Sequence, residues 1–142
     1  MIAARAEGRS LDGERYLATA DHAAVPQVVF TEPQVGSVGL TERGARDAGI
    51  DVVTSELDIE VAGSALAREN YRGHAVLVID RARNVLVGAT FVGPDIAELV
   101  HSATVAVVGE VPVERLWHAV PSYPTISEIW LRLLENLRGK QS

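Results

Sequence analysis

Two runs rich in β-branched and aliphatic residues, His74 to Ile79 and Val85 to Val92, are separated only by Asp80-Arg81-Ala82-Arg83-Asn84. A polar connection this short has a hairpin loop's length, so the spacing predicts an antiparallel pair, because parallel neighbours need a crossover of a dozen residues or more. This pair is the nucleus around which any sheet in the chain must be built. Before it, Val25 to Phe30 crowds β-branched and aromatic residues behind Pro26 and reads as a strand. Thr31-Glu32-Pro33 turns the chain, and Gly36, Gly39 and Thr41 lead into a short helix over 42–48 that Gly49 stops. Ile50 to Leu57 is again extended, with Val52, Val53 and Leu57 as candidate inward residues. Residues 58–72 have no clean period. Ala62, Ala65, Leu66 and Ala67 suggest a partial turn in a segment read as irregular.

After the hairpin the period changes from two to three and four. Gly93-Pro94-Asp95 ends the strand, and Asp95, with Glu98 three residues on, is the expected N-cap of a helix reaching about residue 108. Ile96, Leu99, Val100, Ala103 and Val107 share one face, and Ala97, Val105 and Ala106 widen it, which implies contacts on two sides. Val113 to Trp117 makes a second, short helix. A third, Ser127 to Leu137, carries the stripe Ile126, Ile129, Trp130, Leu133, Leu134 and Leu137 opposite Arg132, Glu135 and Arg138. Strands followed by helices place the chain in the α+β class: an antiparallel β-sheet with helices packed on one side.

Composition removes several classes of function. At 142 residues the chain is one domain. Aromatics make up only 5%, so the core rests on Val, Leu, Ile and Ala. A net charge of −6 with acids and bases interspersed lacks the clustered basic footprint of a nucleic-acid binder. There is no cysteine, which excludes disulfide staples, thiolate metal sites and a cysteine nucleophile carried by this chain. His22, His74 and His101 form no spaced cluster, so no metal site is expected. The Asp80-to-Arg83 charges read as a soluble turn. Met1-Ile2-Ala3-Ala4 meets Arg5 and Glu7 before an apolar run develops, and no stretch approaches a membrane span. A cytoplasmic protein with no membrane partner is therefore expected. Residues 1–21 are polar and broken by Gly8, Ser10 and Gly13, and in isolation read as a loose tail.

The densest stretch of functional side chains is 117–130. It holds both tryptophans, Trp117 and Trp130, with His118, Pro121, Ser122, Tyr123, Pro124 and Glu128 between them. Thr125-Ile126-Ser127-Glu128 fits a capping box, with the Thr hydroxyl meeting an N3 backbone N–H and the Glu carboxylate reaching back. A loop this rich in rigid and polar residues is rarely mere connection. In a monomer it would be half exposed beside an unusually apolar last helix, so a symmetric dimer is expected.

Val25-Pro26-Gln27-Val28-Val29-Phe30-Thr31-Glu32-Pro33-Gln34-Val35-Gly36-Ser37-Val38-Gly39-Leu40-Thr41-Glu42 resembles the opening of the C-terminal dimerisation domain of the flavin-dependent pyridine nucleotide-disulfide oxidoreductases, the family of dihydrolipoamide dehydrogenase, glutathione reductase and mercuric reductase. Tyr123-Pro124-Thr125-Ile126-Ser127-Glu128 resembles that family's closing His-Pro-Thr-x-Ser-Glu motif, and the elements between the two motifs fall in the same order. The resemblance covers about residues 22–138. It implies a dimerisation domain over 22–142, with residues 1–21 as the end of an upstream FAD domain. It also implies FAD and NAD(P) as cofactors of a full-length homodimer, with none bound to this chain alone. The flavin-binding Gly-x-Gly-x-x-Gly, the second nucleotide-binding fold and the redox cysteines of the family belong upstream, so the isolated chain is expected to be inactive.

In the family the motif's His is a general acid/base toward the partner subunit's cysteines, and the motif's Glu orients it. The matching positions here are Tyr123 and Glu128. A phenol ionises at about pH 10 and is a poor base near neutrality, though it can donate a hydrogen bond. Mercuric reductases share Tyr at this place but carry a C-terminal cysteine pair that this chain lacks. Catalytic roles are thus carried as expectations for Tyr123, Glu128 and His118, the last five residues before Tyr123 and able to act if the loop folds back. Each also has a bland reading: interface packing for Tyr123, helix capping for Glu128, an ordinary loop histidine for His118. Tyr123 and Pro124 are the residues expected at the flavin, and the Tyr123–Pro124 bond is expected to be cis, as the family's His-Pro bond is. The competing functions are a free-standing dimeric interaction module of the same fold and, more weakly, a hydrolase built on His118, Ser122 and Glu128.

Overall fold

The structure, a computed structural model, describes residues 5–8 and 24–141. Five strands, β1 (Gln27–Val29), β2 (Gln34–Gly39), β3 (Val52–Asp58), β4 (His74–Asp80) and β5 (Val85–Gly93), form one sheet in the order β1-β2-β5-β4-β3. Every neighbouring pair is antiparallel. The helices are α1 (Glu42–Asp47), α2 (Ala62–Ala67), α3 (Ala97–Val108), α4 (Val113–Leu116) and α5 (Ile129–Gln141), the last entered through a 3₁₀ turn at Ile126–Glu128. The expected α+β class is the one observed. The reading of residues 1–21 as the end of an upstream domain falls outside the described residues, apart from 5–8.

The β4–β5 hairpin forms where the spacing predicts it, with His74 opposite Val92 and Asp80 opposite Val85. Its turn is more than a soluble connection. Asp80 is buried, and its Oδ1 accepts from the backbone N–H groups of Ala82 and Arg83 at 2.9 and 3.1 Å. Arg83 pairs with Glu110, and the Val113 N–H donates to the Asn84 carbonyl at 2.9 Å. The turn therefore also fixes the segment entering α4.

The sequence pattern places residues 34–39 in the lead into α1, and the structure makes them β2, second from the edge and paired along its length with β5. Gly36 and Gly39 hide the strand pattern because each meets a close neighbour. Gly36 lies under α3, where a Cβ would collide with Val100 and come within 3.1 Å of Ile96 Cδ1. Gly39 sits at φ +75° against the backbone of Val87 and Gly88. Two more expectations change. Residues 58–72 contain the helix α2. Its N-terminal residue Val61 offers no side-chain cap, and Ser64 Oγ instead accepts from the Val61 N–H at 3.1 Å. Asp95 does not cap α3: it adopts φ 58°, and the Ala97 N–H donates to Gln34 Oε1 at 3.3 Å. The glycine-proline corner leaves Asp95 outside the helical path, so a side chain from β2 supplies the acceptor.

The main core lies on one face of the sheet. Val53, Leu77, Ala89 and Phe91 meet Leu99, Val100 and Ala103 of α3 and Ile129, Leu133 and Leu137 of α5. Val53 faces this layer while Val52, one residue away, faces the other, where it packs with Ala45 of α1 and Val78. Ser55 is buried under α5 and donates to the Leu133 carbonyl at 2.7 Å, while accepting from Asn136 Nδ2 at 3.0 Å. Tyr71 ties the β5–α3 corner by donating to the Pro94 carbonyl at 2.7 Å.

Phe91 is fully buried at the centre of this layer. Phe91→Ala is expected to destabilise the fold by about 3–5 kcal/mol, read by chemical denaturation. Burial, with Asp95 nearby, pushes the Tyr71 phenol up to about 12 from 10.0. A raised folded pKa contributes stability that is whole below the unfolded value and is lost as pH rises through the folded one. Stability is therefore expected to fall more steeply between about pH 10 and 12 in the native protein than in Tyr71→Phe. Thermal melts of the two across that range measure the difference, with Tyr71→Phe about 1 kcal/mol less stable near neutrality for its lost hydrogen bond.

Candidate functional site

The loop between α4 and α5 is built from three local arrangements. Trp117 closes α4, and the Arg138 guanidinium of α5 stands 4.7 Å from its ring centroid. The Tyr123–Pro124 bond is cis, as the family resemblance implies. Beyond it Thr125 Oγ1 donates to the Ser122 carbonyl at 2.6 Å, which closes the turn. Trp130, at the start of α5, lies with its ring centroid 6.0 Å from that of Phe91 at an interplanar angle of 53°. The loop is thus held at its two tryptophans and turned outward between them, and Tyr123 is 77% exposed.

The capping box expected of Thr125 and Glu128 does not form. Thr125 has no side-chain capping bond, its hydroxyl being used on Ser122. Glu128 Oε2 accepts instead from the Gly63 N–H, in the first turn of α2, at 3.1 Å. The reason lies in α2: its first N–H groups are buried without a polar N-cap, and an orphan donor there needs an acceptor. Gly63 backs directly onto the Thr125 backbone, where a Cβ would collide with it. The sequence signal for this contact is a glycine inside a short apolar helical run, which marks close backbone approach.

His118 is exposed and lines a cleft with Asn84, Trp117 and Arg138 between α4 and α5. Among the described residues no hydrogen bond joins it to Ser122, Tyr123 or Glu128, so the three groups of a hydrolase are not assembled. No cluster of three metal-ligating side chains occurs among the described residues either. A separate groove of about 490 Å³ runs along the same loop, lined mainly by Val105 and Ala106 of α3, Leu116, Pro121 and Trp130. Val105 on its wall is 55% exposed. Apolar side chains left in water beside a groove mark a surface built to be covered.

Residues 25–133 match the family model of the pyridine nucleotide-disulphide oxidoreductase dimerisation domain. This chain belongs to that family. Among curated relatives, dihydrolipoyl dehydrogenase 3 of Haloarcula marismortui is 32% identical over 123 residues, covering 87% of this chain and 26% of that protein. Dihydrolipoyl dehydrogenase of Geobacillus stearothermophilus is 31% identical over 119 residues, or 84% of this chain and 25% of that protein. Among solved structures, the HOCl-induced flavoprotein disulfide reductase RclA of Escherichia coli superposes with a TM-score of 0.74 at 26% identity, over 88% of this chain and 29% of that one. LpdA of Mycobacterium tuberculosis, at 22% identity, shares the fold with a TM-score of 0.77 over 96% of this chain and 28% of that one. The chain thus spans about a quarter of the length of the curated relatives it matches. No helix among the described residues is long and apolar enough to cross a membrane.

At its tip the loop presents the exposed Tyr123 phenol and the cis Tyr123–Pro124 turn. Thr125→Val is expected to cost about 1 kcal/mol through the lost bond to Ser122. His118→Ala, at an exposed site, is expected to change stability by less than about 0.5 kcal/mol. Urea titrations of both variants check the contrast.

Proposed function

We propose that this chain is the C-terminal dimerisation domain of an FAD-dependent NAD(P)H oxidoreductase, joining two subunits and completing the partner's flavin site. The observation that carries the reading is the placement of two features on one loop. Pro121 and Trp130 line an apolar groove that the other described residues leave open, and the exposed Tyr123 lies between them in sequence. A second copy seated on the groove would bring each tip toward the other subunit. In this reading residues 22–142 are the dimerisation domain and residues 1–21 the end of an upstream FAD domain. Localisation in the cytoplasm belongs to the same proposal.

A bound FAD would supply electron transfer from NAD(P)H. The residues of this chain that would face it are Tyr123, through its hydroxyl, and Pro124, through the adjoining backbone. Tyr123 serves as a hydrogen-bond donor, which suits a phenol at neutral pH better than proton abstraction does. Glu128 keeps its carboxylate on Gly63 and supports the tip from behind. His118 presents its imidazole on the cleft between α4 and α5. A free-standing dimeric module with no redox role is the second reading. It is favoured by the core, in which α3 and α5 close one face of the sheet.

Both readings require the dimer. Sedimentation equilibrium is expected to give a dimer for the native chain. Val105→Glu places a charge on the groove wall, where pairing would desolvate it, and is expected to weaken association by at least about tenfold. A monomer at high concentration in the native chain would overturn the proposal. Full-length protein then separates the readings, since only the enzyme retains FAD and loses NAD(P)H oxidation when Tyr123 is replaced by Ala.

A further inference from the structure

The loop carrying Tyr123 is pinned at its ends by the two tryptophans. Its polar fastening runs to a segment 65 residues away in sequence, the first turn of α2. Three observations define that fastening. Glu128 Oε2 accepts from the Gly63 N–H at 3.1 Å. Gly63 is buried, and its Cα face rests on the backbone of Thr125, leaving no room for a Cβ. Ser64, also buried, fixes the same turn from inside by accepting from the Val61 N–H at 3.1 Å and donating to the Val61 carbonyl at 2.8 Å. At its far end α2 is tied again, because Arg68 Nη1 pairs with Glu32 Oε1 at 2.5 Å in the turn between β1 and β2.

We propose that Glu128 and Gly63 are positioning residues for Tyr123: the Glu128 carboxylate anchors the loop 122–128 to the first turn of α2, and Gly63 lets the Thr125 backbone seat on that turn, so that α2 sets where the Tyr123–Pro124 tip stands. The inference rests on the reading of that tip as the group offered to a partner, and it assigns Glu128 a task that needs no histidine. What the task requires is a hydrogen-bond acceptor, not a charge. The amide oxygen introduced by Glu128→Gln could accept from the Gly63 N–H, whereas the methyl group left by Glu128→Ala could not. A residue working in proton transfer would not tolerate the amide, which does not exchange the proton. Thr125 lies between anchor and tip, and its bond to the Ser122 carbonyl carries the constraint past Pro124 to the residue before Tyr123.

The test uses the 142-residue chain labelled with ¹⁵N and with 3-fluorotyrosine, the Tyr123 ¹⁹F resonance being assigned by its loss in Tyr123→Phe. Glu128→Ala, Glu128→Gln and Gly63→Ala are compared with the native chain. In Glu128→Ala the Gly63 amide is expected to exchange with deuterium at least about tenfold faster, and the Tyr123 resonance to shift or broaden. Glu128→Gln is expected to keep both as in the native chain. Gly63→Ala is expected to move the Tyr123 resonance as Glu128→Ala does, and if it fails to fold the two Glu128 variants decide alone. Unchanged Gly63 protection in Glu128→Ala would overturn the anchor. An unmoved Tyr123 resonance despite lost protection would overturn the positioning role, and so would a Glu128→Gln variant that behaves like Glu128→Ala. None of these readouts needs flavin. Sedimentation of the same samples shows separately whether the dimer reading stands.

Discussion

The sheet face that carries Ala89 and Phe91 is the surface on which both long helices rest, α3 on β2 and β5 and α5 on β3 and β4. β5 is the middle strand of five, and Phe91 on it is wholly buried between α3 and α5. Burying a ring of this size contributes on the order of 2–3 kcal/mol from apolar area alone. Its larger consequence is geometric. Trp130 tilts against Phe91, so the first turn of α5 is set from the sheet, and with it the end of the loop that begins at Trp117. The other end of the loop is set from the hairpin turn, through Arg83 with Glu110 and the Asn84 carbonyl with Val113. Sheet and loop are therefore one mechanical unit, and the outward stretch between the tryptophans is a consequence of where its ends are pinned.

The sequence makes legible what depends on period. The β4–β5 pair, the faces of α3 and α5, and the short α1 capped by Thr41 all appear where spacing predicts them. It obscures what depends on close approach. β2 escapes detection because Gly36 and Gly39, which weaken the strand pattern, are there so that α3 and the β5 backbone can come near. α2 escapes because its buried N-terminal turn is satisfied by Ser64 and by a carboxylate from another part of the chain. Asp95 misleads for the same reason in reverse: a good capping residue is displaced by a corner, and Gln34 does the capping from β2. In each instance a local rule fails where a long-range contact supplies the missing donor, acceptor or space.

The same logic separates what the family motif preserves from what it changes. The cis bond before Pro124 and the turn behind it persist with Tyr in the first position. The glutamate also persists, yet its carboxylate is directed at Gly63. If a glutamate at this place served only to orient a histidine, replacing the histidine would leave a half-buried carboxylate with nothing to do and a desolvation penalty to bear. An acceptor role toward a buried N–H removes that difficulty, because it is independent of the side chain at 123. Tyr123 is then free to differ in chemistry while remaining fixed in place. The loop's ends are pinned by the sheet and the hairpin turn, and the bond from Gly63 to Glu128 ties the stretch behind the tip to α2. The geometry of the tip, held through the backbone and Glu128, is accordingly separable from the identity of the side chain at position 123.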